Sequence, residues 1–199
     1  SYQQVQHLSN ENNIFITHSL GSRILMDSLV DIVESVSQVD GKLPPQQQQI
    51  VDNLKNRELT IFMLANQLPL LQIARQKPNV RNQVPSYCRP KGKNYRHRVF
   101  KRVNVVAFSD PNDLLSYDVP QEFVDDNIDS RMCPNVTNVS LNVAEVISAF
   151  GVGVVNPVTA HTEYDNDERV IQMISKGMTD YKNNPTLSER CTFTKLGAQ

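Results

Sequence analysis

A serine, two aspartates and a histidine, Ser19, Asp110, Asp113 and His161, follow one another in an order that could build a nucleophile relay. A serine hydroxyl is a poor nucleophile at neutral pH. It needs an imidazole to take its proton and a carboxylate to hold that imidazole in the right tautomer. Ser19 lies in Thr17-His18-Ser19-Leu20-Gly21-Ser22, directly after the apolar run Asn13-Ile14-Phe15-Ile16 and directly before a helical pattern. Strand, tight turn and helix in that succession lift the serine Oγ clear of a sheet edge, as a G-x-S-x-G nucleophile elbow requires. The same turn aims the Leu20 amide at the place where an oxyanion would form. Thr17 stands where that motif has its first glycine, and a helix N-cap is the competing reading of Ser19. Asp110 and Asp113 sit in the turn-rich Asp110-Pro111-Asn112-Asp113, where turn or cap roles compete, and His161 is placed in a variable loop.

The elements that must position these residues follow from periodicity. After the elbow, Ile24, Leu25, Leu29, Ile32, Val33 and Val36 recur at helical spacing, with Arg23, Asp27, Asp31 and Glu34 on the other face. Gly41 and Pro44-Pro45 end that helix, and a second helical stretch runs through Leu54. Residues 59–65 are continuously apolar, which suits a parallel strand covered on both faces. Asn66-Gln67-Leu68-Pro69 then turns the chain toward a short helix or loop at residues 70–76. Residues 103–109 form the next strand and residues 136–143 the last, while residues 168–176 close the domain as a helix stopped by Gly177. Strands separated by helices predict an α/β domain with a mostly parallel sheet. The domain is read as residues 1–181, with a weakly ordered tail over residues 182–199.

The residues around the three site positions carry a family likeness. The elbow, the acid segment Ser109-Asp110-Pro111-Asn112-Asp113-Leu114-Leu115-Ser116-Tyr117 and the histidine segment Ala160-His161-Thr162-Glu163-Tyr164 together resemble those of the α/β-hydrolase superfamily, closest to its lipase-like and esterase-like members. Asn112-Asp113-Leu114-Leu115 with Pro120 downstream resembles the acid loop of lipases, which makes Asp113 the expected acid and Asp110 the alternative. The resemblance implies a serine esterase with Ser19 as nucleophile, His161 as base, the Leu20 amide as oxyanion donor, no cofactor, and a small-molecule or lipid ester as substrate. In that family the elbow follows several strands. Only a dozen residues precede it here, so the chain reads as the carboxyl-terminal portion of the fold with its early strands missing. The second oxyanion donor comes from a loop near the start of the fold and has no counterpart here. Losing one such donor costs about 2.7–4 kcal/mol, so impaired activity is expected. The alternative is a non-catalytic interaction or lipid-surface-binding protein on the same scaffold.

The chain has 199 residues, 39% of them apolar, and a formal charge of −1, which suits one globular domain and gives no global argument for nucleic acid or membrane. Residues 77–102 depart from this balance, with nine basic residues and no acidic one. That segment reads as a solvated insertion, with contact to an anionic surface as the alternative and no nucleic-acid motif. Cys88, Cys133 and Cys191 are odd in number and widely spaced, against a dense disulfide framework or a zinc site. His18 reads as elbow packing with its ring turned away from Ser19, and His7 and His97 have no partners that spacing supplies. Met63 and Met173 read as core. Asn135-Val136-Thr137 and Asn138-Val139-Ser140 are glycosylation sequons close to a strand. No leader is recognised at Ser1, which carries little weight because Ser1 does not read as a natural start; a cytoplasmic setting is weakly favoured, with the secretory pathway left open.

Overall fold

Apolar residues on both phases of a strand demand cover on both faces, and the central strands of this chain obtain it. The computed structural model describes residues 13–37, 44–73, 75–144, 147–149, 152–178 and 181–196. Strands β1 (Asn13–His18), β2 (Glu58–Leu64), β3 (Arg102–Ser109) and β4 (Pro134–Ser140) lie side by side in chain order and run parallel. Helices α1 (Gly21–Ser37) and α2 (Pro45–Leu54) cross from β1 to β2. Short helices α3 (Leu68–Leu71) and α4 (Val84–Cys88) lie between β2 and β3, and α5 (Gln121–Asn127) leads to β4. Leu59, Ile61 and Met63 of β2 pack in one layer with Met26, Leu29 and Val33 of α1, Leu54 of α2 and Phe123 of α5. Phe62 and Leu64 of the same strand pack in the other layer.

The second layer is built after β4. A small antiparallel pair, β5 (Ile147–Ala149) and β6 (Val152–Val154), precedes α6 (Pro157–Thr162) and α7 (Glu168–Lys176). Val170 and Met173 of α7 and the fully buried Tyr164 close this face over Phe62, Val106, Phe108 and Val139. Gly177 ends α7 at φ +77°, a conformation that suits a residue without Cβ.

The predicted tail is not a tail. Helix α8 (Pro185–Arg190) and strand β7 (Thr192–Lys195) complete the fold, with β7 antiparallel to β4, so the sheet has five strands in the order β1-β2-β3-β4-β7. The local chemistry explains why. Asn184 caps α8 by accepting from the Thr186 and Leu187 amides, with Pro185 in the first turn. Leu187 is buried in the second layer, and Phe193 stacks on Tyr181 with ring centroids 4.0 Å apart. A four-residue strand carries too little pattern to stand out from the chain alone, and its partner β4 supplies the stability. Residues 136–143 are accordingly not the last strand, and the ordered domain runs beyond residue 181.

The basic segment is also ordered. Pro85 stands in the first turn of α4, Cys88 of α4 is joined to Cys133 by a disulfide with Cα atoms 5.3 Å apart, and Val99 and Phe100 are buried in the first layer. His7 and Gly41 lie outside the described residues.

Candidate active site

Parallel strands end on the same side of a sheet, so the residues after β1, β2, β3 and β4 share one edge. The backbone sews those ends together: the Ser19 amide donates to the Leu64 carbonyl at 2.9 Å, Asn66 to Phe108 at 2.9 Å and Leu141 to Ser109 at 3.0 Å. Ser19 itself is held at φ +53°, a left-handed conformation that costs a non-glycine residue about 1–2 kcal/mol and here turns the chain sharply from β1 into α1. Thr17 fits in place of the motif's first glycine for two reasons. Its Oγ1 hydrogen-bonds Ser22 Oγ at 3.0 Å, and a Cβ placed on Gly21 would meet its Cβ at 3.6 Å, an ordinary contact distance, so threonine and the elbow glycine share the space without crowding.

Ser19, His161 and Asp113 are brought together. His161 Nε2 lies 3.2 Å from Ser19 Oγ, and His161 Nδ1 lies 3.0 Å from Asp113 Oδ1 and 2.9 Å from Oδ2. A carboxylate only accepts, so Nδ1 carries the proton and Nε2 presents its lone pair to the serine hydroxyl. The Asp113 side chain is 1% exposed and that of His161 18% exposed, which keeps water from competing for the carboxylate while the imidazole remains accessible. His161 is on α6 rather than in a loop. Asn156 accepts from the Val158 amide as N-cap and Pro157 begins the helix, a start signal present in the sequence but spread over few residues.

Asp113 is positioned twice over. Its Oδ1 accepts from the Leu115 amide at 2.9 Å, and its Oδ2 accepts from the Tyr164 hydroxyl at 3.4 Å. Tyr164 is fully buried and shares a 3.1 Å bond with Ser116 Oγ. Burial pushes its phenol well above the ordinary range, with the nearby Asp113 charge adding to the rise, so it remains a neutral donor. Asp110 does not reach the imidazole. Its carboxylate is filled by the Asn112 amide and the Val143 amide, both at 2.7 Å, and by Asn112 Nδ2 at 3.0 Å.

Two participants escaped the sequence reading. The fully buried Asn66 ties β2 to the acid loop: its Nδ2 donates to the Tyr117 carbonyl at 2.7 Å, and its own carbonyl accepts from the Tyr117 amide at 2.8 Å. A polar residue directly after an apolar strand was the available signal. His18, expected only to pack, places its Nε2 3.0 Å from the His161 carbonyl oxygen. The Leu20 amide has no hydrogen-bond acceptor among the described residues, and its carbonyl starts α1 by accepting from Arg23 and Ile24.

The basic segment is elsewhere. Asn82 bonds the Asp125 carbonyl, Ser130 bonds the Val80 carbonyl and Val99 bonds the Arg131 carbonyl. These contacts set residues 80–100 at the amino ends of β3 and β4, opposite the edge that carries Ser19. Lys77 pairs with Asp126 at 2.5 Å, Lys101 with Glu58 at 2.9 Å, and Arg98 lies over the Tyr95 ring. Neither sequon is presented for modification in the folded chain: both are within β4, and Asn138 is buried with its side-chain amide bonded to both backbone groups of Val119. Cys191 is a buried free thiol whose pKa is raised by burial, and Met63 and Met173 are core. Among the described residues, no group of three or more His, Cys, Asp or Glu is gathered so as to hold a metal ion. No helix among them is long and apolar enough to cross a membrane. Comparison with protein-family models, with curated proteins and with solved structures found no match.

Proposed function

We propose that this chain is a serine hydrolase of carboxylic esters that works by acyl transfer on an α/β-hydrolase-like scaffold. The observation that carries the reading is the unbroken hydrogen-bonded relay from Ser19 through His161 to Asp113. As the ester carbonyl approaches, Ser19 Oγ attacks its carbon while His161 Nε2 takes the hydroxyl proton. Asp113 holds the imidazole in the Nδ1–H tautomer and offsets the charge of the imidazolium that forms. The unengaged Leu20 amide, at the amino end of α1, donates to the oxyanion of the tetrahedral intermediate. Collapse of that intermediate expels the alkoxide, which receives the proton from His161. A water molecule, deprotonated by the same imidazole, then attacks the acyl carbon; the bond to Ser19 Oγ breaks, the imidazolium returns its proton to Oγ, and the acyl group leaves as a carboxylic acid.

Small-molecule and lipid esters are both compatible with the chemistry. An anionic surface held by the exposed Arg89, Lys91, Lys93 and Arg96 would meet the edge opposite Ser19, so that contact is not part of the proposed hydrolysis. The test is a fluorophosphonate probe, which phosphonylates an activated serine. Wild-type protein is expected to label on Ser19 and Ser19→Ala to lose the label. Equal labelling of the two proteins removes the nucleophile assignment.

A further inference from the structure

We infer that His18 is a positioning residue for the proposed reaction: its Nε2–H holds the main chain of His161, so that consecutive residues of the elbow grip the base at both ends. The inference rests on the hydrolase reading of Ser19 and His161.

Ser19 bonds the ring of His161 at Nε2, 3.2 Å away, and His18 bonds the carbonyl of the same residue, 3.0 Å away. A carbonyl oxygen only accepts, so the His18 imidazole carries its proton on Nε2. The His18 ring also meets the His161 ring edge-on, with centroids 5.4 Å apart and planes at 75°, and the Tyr164 ring at 6.5 Å and 74°. His18 can do this because it ends β1, paired with Leu64 in the parallel register, so its backbone is fixed by the sheet.

The base needs such a hold. Helix α6 has six residues and Ala160 is the only one of them that is buried, so the core gives it little grip. A slide or twist of α6 that moved Nε2 from Ser19 would also have to break the His18 bond. The effect belongs to rate more than to stability. An exposed hydrogen bond adds little to folding because water competes for both partners, whereas a displacement of about 1 Å at a reacting pair can cost about 100-fold in rate. Glutamine can offer an N–H at a similar reach, and phenylalanine keeps a ring with no donor, so the two substitutions separate the hydrogen bond from simple packing.

The test uses His18→Phe and His18→Gln with two readouts. The first is saturable fluorophosphonate labelling of Ser19, giving a maximal rate and a half-saturating concentration. The second is the low-field proton resonance of His161 Nδ1–H, recorded cold, which reports its bond to Asp113 whether or not the protein reacts. His18→Phe is expected to lower the maximal labelling rate about tenfold, within the range set by misplacement, with the half-saturating concentration unchanged and the resonance lost or shifted. His18→Gln should restore both. Phe and Gln variants that behave alike, a Phe variant with wild-type rate and resonance, or a wild type without the resonance overturns the clamp. A wild type that does not label, with the resonance lost in Phe and restored in Gln, supports the clamp and sinks the hydrolase reading instead. Should the Phe variant fail to fold, His18→Ala takes its place with the same readouts.

Discussion

Asp110 and Asp113 stand three residues apart on one loop, are 1% and 4% exposed, and hold different things. Asp110 spends its oxygens on backbone amides of its own loop and of Val143, which fastens the β3 exit to the β4 exit. Asp113 accepts one backbone bond, from the Leu115 amide, and keeps both oxygens within reach of His161 Nδ1. Asp113→Asn is therefore expected to lower the maximal rate of Ser19 labelling about 10⁴-fold, the loss that a wrong imidazole tautomer causes, with little change in melting temperature. Asp110→Asn should do the reverse, costing about 1–3 kcal/mol of stability through poorly satisfied buried amides while labelling stays within tenfold of wild type. An exchange of the two phenotypes would move the acid to Asp110. The sequence leaves both aspartates open because both follow the same strand. Which one accepts from the imidazole depends on where α6 docks, and no local pattern near residue 110 reports that.

At the scale of elements, the elbow was legible because a strand, a turn and a helix are each local patterns. Its strained φ at Ser19 and its bond to Leu64 depend on β2 lying beside β1. The histidine element looks like a loop in the sequence because a six-residue helix shows too few turns for periodicity. The basic segment gave a similar difficulty, since prolines at 78, 85 and 90 hide a compact turn. There the Asn94 amide donates to the Ser86 carbonyl at 3.0 Å, and a Cβ on Gly92 would lie 2.3 Å from that same oxygen. Backbone cannot yield as a flexible side chain does, so Gly92→Ala is expected to destabilise the protein by about 1–3 kcal/mol in denaturant unfolding. The labelling rate of the folded variant should stay at the wild-type value, because the segment is at the opposite edge from Ser19. An unchanged midpoint would contradict the close approach.

For the whole molecule, two apolar layers clasp the sheet, but not evenly. Ile14 and Ile16 of the edge strand β1 are 63% and 55% exposed, on the face where β2 presents Phe62 to the second layer. Among the described residues, that layer covers β2, β3 and β4 and stops short of β1. The Cys88–Cys133 disulfide joins α4 to the entry of β4 across 45 residues of chain and ties the basic segment to the sheet. Such a bond persists in an oxidising compartment. Cys88→Ser, or full reduction, is expected to lower the unfolding free energy by about 2–4 kcal/mol through the larger freedom of the unfolded chain. Denaturant unfolding with and without reductant measures it, and equal stabilities would show that the cross-link adds nothing to the fold.

The sequence by itself determined what repeats over a few residues: the apolar runs of β1, β2 and β3, the amphipathic face of α1, the elbow around Ser19, and the candidates Asp113 and His161. Those signals come from side chains whose near neighbours in the chain are also near in space. Tertiary structure alone decided that Asp113 rather than Asp110 bonds the His161 ring, the donor role of His18, the buried tie at Asn66, the pairing of Cys88 with Cys133, and the entry of residues 192–195 into the sheet. Each of these is a contact between segments tens of residues or more apart, or follows from one. Such contacts are set by strand order and by which layer each helix covers, so they come into being only when the sheet is assembled.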